Sequence, residues 1–174
     1  VQQNGLVMEI LQLTYSRDAE GRLSTSFGEP DCLPEIALAA VQQNGMALYF
    51  LNFIFHNESN FRNYRQVALA AVQENGMAIE FVPRHIMIDH PEIILAAVQE
   101  NGMAIRLLDL YALDDSYEIV LAAVQQNGLA LMAIRMSLID QQQVLKDNYK
   151  KIVLAAVQQN GLALVYSRIH EYVI

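Results

Sequence analysis

The sequence predicts an all-α fold, a short α-solenoid of two-helix repeats, and three observations support this prediction. One ten-residue block occurs five times, as IALAAVQQNG, VALAAVQENG, IILAAVQENG and twice as IVLAAVQQNG. The block is rich in Ala, Leu, Gln and Glu, which favour helices. Successive Asn-Gly pairs are 26 residues apart at the closest and farther apart where insertions occur. About five and a half units therefore fill the 174 residues.

The whole chain, residues 1–174, is predicted to be a single repeat domain. Its units cover about 1–16, 32–56, 63–88, 89–114, 115–140 and 148–174. Residues 17–31 contain Gly21, Gly28 and Pro30 among polar residues, which is typical of an insertion loop. The insertions all fall at the same junction of the repeat, so they are either a binding side or tolerated surface loops. Because the chain opens inside a repeat and without Met, we interpret it as a fragment of a longer protein.

Polar residues and glycines mark the expected ends of the first helix in each unit. Asp89 and Asp115, like Asn63 and Asn148, can accept hydrogen bonds from the unpaired N–H groups of a helix start. Glu92 completes a capping box with Asp89. Glycine should then end the helix in a left-handed conformation, at Gly45, Gly76, Gly102, Gly128 and Gly161. A β-hairpin at Asn-Gly is disfavoured because the flanking residues do not alternate between apolar and polar.

The glutamine that follows Val in every block predicts a polar ladder along the stack, which would satisfy helix ends and set the register. Its members are Gln42, Gln73, Gln99, Gln125 and Gln158. Gln126 is placed on the polar edge, where its loss should cost much less than the loss of Gly128.

Composition restricts the possible partners. Lys and Arg number 11 against 19 Asp and Glu, for a net charge of −8, and this balance would repel nucleic acid. No apolar run approaches the roughly 18 residues of a membrane-spanning helix. Cys32 is the single cysteine, so an intrachain disulfide is impossible and the chain suits a reducing compartment.

The sequence predicts no catalytic residue, no cofactor and no metal. The only His-dense stretch contains His85 and His90, but these are five apart, whereas helical zinc ligands are spaced i, i+4. Cys32 has no histidine near it in sequence to act as a base. An enzyme that uses the 17–33 loop is kept as the least favoured alternative.

The fourth and seventh residues after each Asn-Gly glycine vary between units, which is typical of partner recognition on a fixed scaffold. Three residues apart, they would share one face of a helix. The predicted partner-binding residues are Tyr49, Asn52, Glu80, Arg106, Asp109, Met132 and Arg135. The alternative is that these positions are merely exposed and unconstrained.

The block LAAVQQNG, followed by Leu or Met and by Ala and preceded by starts such as DHPEI, resembles a family of tandem repeats classed as a domain of unknown function. Such repeats are frequent in effectors that intracellular bacterial pathogens secrete into host cells. The resemblance implies a secreted virulence factor with a protein partner in the host cytosol, and it brings no catalytic residues. We therefore expect a protein–protein interaction module, or alternatively a rigid spacer or regulatory arm for an enzymatic domain outside this chain.

Overall fold

The computed structural model describes residues 15–17, 23–25, 33–54, 63–109, 116–134 and 136–167. Over these residues the chain stacks repeating units, each made of an α-helix followed by a 3₁₀-helix. The all-α repeat fold predicted from the sequence is confirmed.

The α-helices of the described residues are numbered here in chain order. They are α1 (Leu33–Gln43), α2 (Leu48–Ile54), α3 (Tyr64–Glu74), α4 (Arg84–Asp89), α5 (Pro91–Glu100), α6 (Ser116–Gln126), α7 (Met136–Gln141) and α8 (Gln143–Gln159). The 3₁₀-helices are η1 (Gly45–Ala47), η2 (Gly76–Phe81), η3 (Gly102–Leu107), η4 (Gly128–Ala133) and η5 (Gly161–Tyr166). The helices that carry the repeated block, called repeat helices below, are α1, α3, α5, α6 and α8.

Asparagine separates the two helices of every unit. Asn75 leaves the helical conformation at φ −147° and ψ 107°, and its side chain accepts a hydrogen bond from the Met77 N–H at 3.0 Å. The Asn75 carbonyl then accepts from the Ala78 N–H at 2.8 Å, which starts the 3₁₀-helix. The same capping bond forms at Asn44, Asn101, Asn127 and Asn160. Asparagine therefore ends one helix and caps the next.

The predicted left-handed glycine caps are wrong. None of the five glycines has a φ angle in the left-handed region: Gly45, Gly76, Gly102, Gly128 and Gly161. Each glycine is instead the first residue of a 3₁₀-helix. From the second unit onward, the second helix of the predicted two-helix unit is a 3₁₀-helix. In the first unit the α-helix α2 continues from η1.

The predicted helix starts also need correction. Asp89 is the last residue of α4, and His90 precedes α5 with Pro91 at its first position, where proline's fixed φ suits a helix start. Asn63 lies at the start of α3 but makes no capping bond with its side chain. Asn148 lies inside α8, where its Nδ2 donates to the Val144 carbonyl at 2.8 Å. Asp115 lies outside the described residues.

Two insertions contain regular structure. In and beside the predicted 17–31 loop, β1 (Tyr15–Arg17) and β2 (Leu23–Thr25) pair antiparallel, with Tyr15 opposite Thr25. This short hairpin is a local exception to the helical stack. The polar insertion at residues 140–148, between the last two repeated blocks, is helical too, because the end of α7 and the first turns of α8 occupy it.

Successive repeat helices pack side by side, and successive 3₁₀-helices form a second layer beside them. The second alanine of the LAAV segment is fully buried in α3, α5, α6 and α8, where it is Ala71, Ala97, Ala123 and Ala156. Small side chains there let neighbouring backbones approach closely. No helix among the described residues has both the length and the apolar character needed to cross a membrane.

Candidate functional site

Each internal junction brings a glycine against the backbone of the next repeat helix. A Cβ atom on Gly45 would lie 2.3 Å from the Ala71 carbonyl oxygen, and one on Gly128 would lie 2.3 Å from that of Ala156. Gly76 and Gly102 meet the corresponding alanine carbonyls at 2.3 and 2.4 Å. Glycine is therefore required at these junctions because no side chain fits between the units.

A polar ladder crosses three of these junctions, at Gly45, Gly102 and Gly128. The Gln126 side chain accepts from the Gly102 N–H at 2.7 Å and donates to the Glu100 carbonyl at 3.0 Å. Gln159 repeats the pattern one unit later, with Gly128 N–H at 2.6 Å and the Gln126 carbonyl at 3.2 Å. At the first junction the Glu74 carboxylate accepts from the Gly45 N–H, although a carboxylate has no N–H to donate.

The ladder therefore lies one residue later than the sequence predicted. Each side chain closes the Asn-Gly turn of the preceding unit, accepting from the glycine N–H and, where it is glutamine, donating to the carbonyl two residues before that glycine. The members predicted from the sequence are exposed too, and in the described part of the chain they take no part in these bonds: Gln42, Gln73, Gln99, Gln125 and Gln158.

The fourth residue after each glycine forms an exposed row along the 3₁₀ layer. This outer row consists of Tyr49, Glu80, Arg106, Met132 and Val165. The residue just before the row is buried in the first four units, as Leu48 and Ile79 show. A 3₁₀-helix has three residues per turn, so Glu80, Arg106 and Met132 stand directly above the half-buried Met or Leu that follows the glycine of their unit.

The seventh position behaves differently from the fourth. The 3₁₀-helix ends before it in the second and third units, and its described predicted members make internal contacts. Asn52 donates to the Phe81 carbonyl at 2.5 Å and accepts from the Tyr64 hydroxyl at 2.8 Å. Burial raises the pKa of Tyr64, which keeps this hydroxyl a donor. Asp109 pairs with Arg84 at 2.7 Å, and Arg135 lies outside the described residues.

An ion pair spans the junction between α3 and α5 at the surface. Arg65 Nε lies 2.7 Å from Glu92 Oε1, and His90 Nδ1 lies 3.4 Å from the same oxygen. Slight burial acts to raise the pKa of Glu92, but the combined effect of its own backbone N–H, Arg65 and His90 is larger. The pKa of Glu92 is therefore lowered.

A family model described as "Domain of unknown function (DUF4116)" matches residues 34–87 and 90–138, more than half of the chain. The chain belongs to the DUF4116 family. Each match contains two repeat helices, α1 and α3 in the first and α5 and α6 in the second. Comparison of the chain with curated proteins and with solved structures gave no match.

Within the described part of this DUF4116 stack, no group of three or more His, Cys, Asp and Glu side chains is arranged to hold a metal ion. Cys32 lies outside the described residues. The features of the stack that sequence reasoning missed are the register of the ladder and the glycine contacts. In every block, Gln or Glu lies three residues after the second alanine of LAAV and directly before Asn-Gly. This constant spacing was the signal for both features.

Proposed function

We propose that this stack is a protein–protein interaction module that binds its partner through the outer row. The observation that carries the proposal is that one exposed position varies from unit to unit, while the glycine, the Met or Leu, the Ala and the Leu or Ile that precede it repeat. Repeat proteins recognise partners through such variable positions on a constant scaffold. Asn-Gly and the ladder residues build the scaffold, because they hold one unit to the next.

The chemistry along the outer row suits protein recognition. At one end Tyr49 packs edge-on against Phe81, with ring centroids 5.2 Å apart, while nearly half of its surface stays exposed. Glu80 and Arg106 place opposite charges in the middle, and Met132 and Val165 are apolar and exposed. Tyr, Met and Arg are enriched at protein interfaces. The partner surface that fits this row is apolar at both ends and carries paired charges between them.

The family resemblance adds the setting of the proposal. We place the protein among effectors delivered into host cytosol, with a host protein as partner, and we assign no catalysis to this segment. The rival function is a rigid spacer or regulatory arm for an enzymatic domain outside the chain. A spacer needs the scaffold but has no use for a particular outer row, so the two functions differ in what the row contributes.

The test compares two triple variants of the full chain as baits for host-cell proteins. The row variant carries Glu80→Lys, Arg106→Glu and Met132→Gln. These three side chains are exposed, and none of the hydrogen bonds and ion pairs described above involves them. The control variant carries Glu118→Lys, Lys146→Glu and Gln42→Ala. These side chains are also exposed, and both triple variants keep the net charge of wild type. Tyr49, Asn52 and Asp109 are left intact because they make internal contacts.

We expect wild type and control to recover the same partner and the row variant to lose it, with all three chains equal in helicity and melting temperature. Quantitative mass spectrometry of the bound proteins gives the comparison. Recovery of the same partner by the row variant would remove this row from consideration, and a wild-type chain that retains no protein would favour the spacer.

A further inference from the structure

Two charged side chains on the 3₁₀ side of the stack have no partner in the described part of the chain. Glu80 and Arg106 occupy neighbouring positions of the outer row, and both are exposed. The ion pairs of the described residues involve other side chains, so Glu80 and Arg106 neutralise neither each other nor a third group. Both charges are therefore available to a binding partner.

An apolar row runs beside the outer row. It is formed by the fifth residue after each glycine and consists, in three successive units, of Phe81, Leu107 and Ala133. Leu107 is 38 % exposed, and the other two are partly exposed. Each of these three units packs against a described unit on both sides, so this surface does not depend on where the chain begins or ends. It combines two unpaired charges with a continuous apolar border.

The surface favours a partner whose backbone is already satisfied. Because η2, η3 and η4 are helical, this part of the stack offers no sheet edge for an extended chain to join. The apolar row has no side chain that could pair with the N–H and C=O groups of such a chain, and burying these groups unpaired costs free energy. An α-helix pairs its own backbone groups and presents only side chains, so it fits this surface where a strand does not.

The spacing of the repeat also fits a helix. Packed helices lie about 8–10 Å apart, which sets the distance from one unit of the stack to the next. One heptad of an α-helix advances about 10.5 Å and returns to nearly the same face. A helix that runs along the outer row therefore presents one residue of each heptad to each unit. The long side chains of Glu80 and Arg106 absorb the remaining difference.

We propose that the outer row binds an amphipathic α-helix of its partner, which presents a basic residue to Glu80 and, one heptad along, an acidic residue to Arg106. An apolar residue one heptad farther contacts Met132, and the adjoining apolar face of the helix covers Phe81 and Leu107. Charge complementarity selects this order, because a like charge at either position is repelled. The inference rests on the proposed function and names the partner element for it.

The test uses three labelled peptides of three heptads each, about 21 residues. They share one apolar face and differ only at two positions one heptad apart, which carry Lys and Glu in the mixed probe, two Lys in the basic probe and two Glu in the acidic probe. Fluorescence anisotropy measures their binding to the full chain. We expect wild type to prefer the mixed probe by about fivefold, because each other probe replaces an exposed attractive pair by a repulsive one. The mixed probe can dock in either chain direction, so this comparison does not depend on helix polarity.

Single charge reversals should change the preference in opposite directions. Arg106→Glu should bind the basic probe best, and Glu80→Lys should bind the acidic probe best. Lys146→Glu and Glu118→Lys are the matched controls, because they make the same changes in net charge at exposed positions on repeat helices, and they should keep the preference for the mixed probe. A control that shifts as far as its row variant would assign the preference to overall charge and overturn the proposal.

Two further peptides test the helical conformation of the partner. A mixed probe with proline at its centre cannot form a continuous helix and should lose binding. A peptide with Lys and Glu three residues apart, the roughly 10 Å spacing of an extended chain, should bind no better than the proline probe. Equal binding by either peptide and the mixed probe would overturn the proposal. So would a wild-type chain that binds no helical probe, and this result would leave the outer row itself to the bait experiment, which uses host proteins.

Discussion

The blocks Ile119–Gly128 and Ile152–Gly161 have the same ten residues, IVLAAVQQNG, in two different surroundings. In the first block Gly128 is buried against the next repeat helix, and Leu131 just beyond it is 4 % exposed. In the second block Gly161 faces open space, and Leu164 is 55 % exposed. The same local sequence thus forms the same α-helix, cap and 3₁₀-helix whether or not a further unit covers it.

This comparison separates what the block does within a unit from what it does between units. The asparagine cap and the helix serve the unit, since Asn127 and Asn160 make the same 3.0 Å bond. Glycine and the ladder glutamine serve the junction, since they contact the neighbouring unit. Isolated helices of this length are marginal in water, so the junction supplies most of the stability of the stack.

The largest difference in stability should come from adding one methyl group to Gly128 and comparing it with the same change at Gly161. Gly128→Ala places a Cβ about 2.3 Å from the Ala156 carbonyl oxygen, which forces two backbones apart. We expect it to lower the free energy of unfolding by about 2–3 kcal/mol or more, as overpacking does. Gly161→Ala should change it by less than about 0.5 kcal/mol, the usual range for an exposed site.

Urea denaturation followed by circular dichroism measures both variants. Equal losses at the two glycines would contradict the junction account. A large loss at both positions would restore a backbone role for the Asn-Gly glycine within its own unit.

The sequence was sufficient to predict the repeat, its period and the helix that carries LAAV, because local propensity and the recurrence of the block point the same way. It was not sufficient for the role of the glycine. A glycine after a helix usually indicates a left-handed end. At Gly128 the deciding contact is with Ala156, in the following unit, and no local rule contains that contact.

The register of the ladder and the surroundings of Asn52 could not be predicted for related reasons. Gln125 and Gln126 are both exposed glutamines at the end of one helix, and only the position of the preceding unit decides which of them reaches it. Asn52 was predicted to face a partner because it lies three residues after Tyr49 in the same helix, and local spacing does not show that Tyr64 and Phe81 stand beside it. The structure turns it toward Tyr64 and the Phe81 carbonyl instead. The outer row itself is exposed as predicted, and its binding role stays a prediction.

An intermediate effect is expected from the ladder. Gln126→Ala removes the acceptor of the Gly102 N–H and the donor to the Glu100 carbonyl, so it should cost about 1–2 kcal/mol. Gln125→Ala is the control, because that side chain is exposed and has no role in the ladder, and it should cost only a few tenths of a kcal/mol.

Chemical denaturation of both variants gives the comparison, and a loss at Gln125 equal to that at Gln126 would remove the ladder from the account of junction stability. Glu74→Gln sharpens the test. It supplies the missing N–H donor at the first junction and should raise stability slightly if the ladder bond contributes.

The smallest effect should come from the ion pair at the surface of a junction. Arg65 and Glu92 join α3 to α5, yet their side chains are 57 % and 40 % exposed, so solvent and salt screen the attraction. Glu92→Gln should therefore lower the free energy of unfolding by only about 0.2–1 kcal/mol near neutral pH.

Because the pKa of Glu92 is lowered in the folded chain, the folded state favours the ionised carboxylate. That contribution is fully present above the unfolded pKa of about 4.3 and is lost as the pH falls through the folded value. The difference between wild type and Glu92→Gln should thus shrink in acid, and urea denaturation at a series of pH values measures it. If the difference instead grew in acid, or matched the loss at Gly128→Ala, surface charge and not buried contact would dominate the junction.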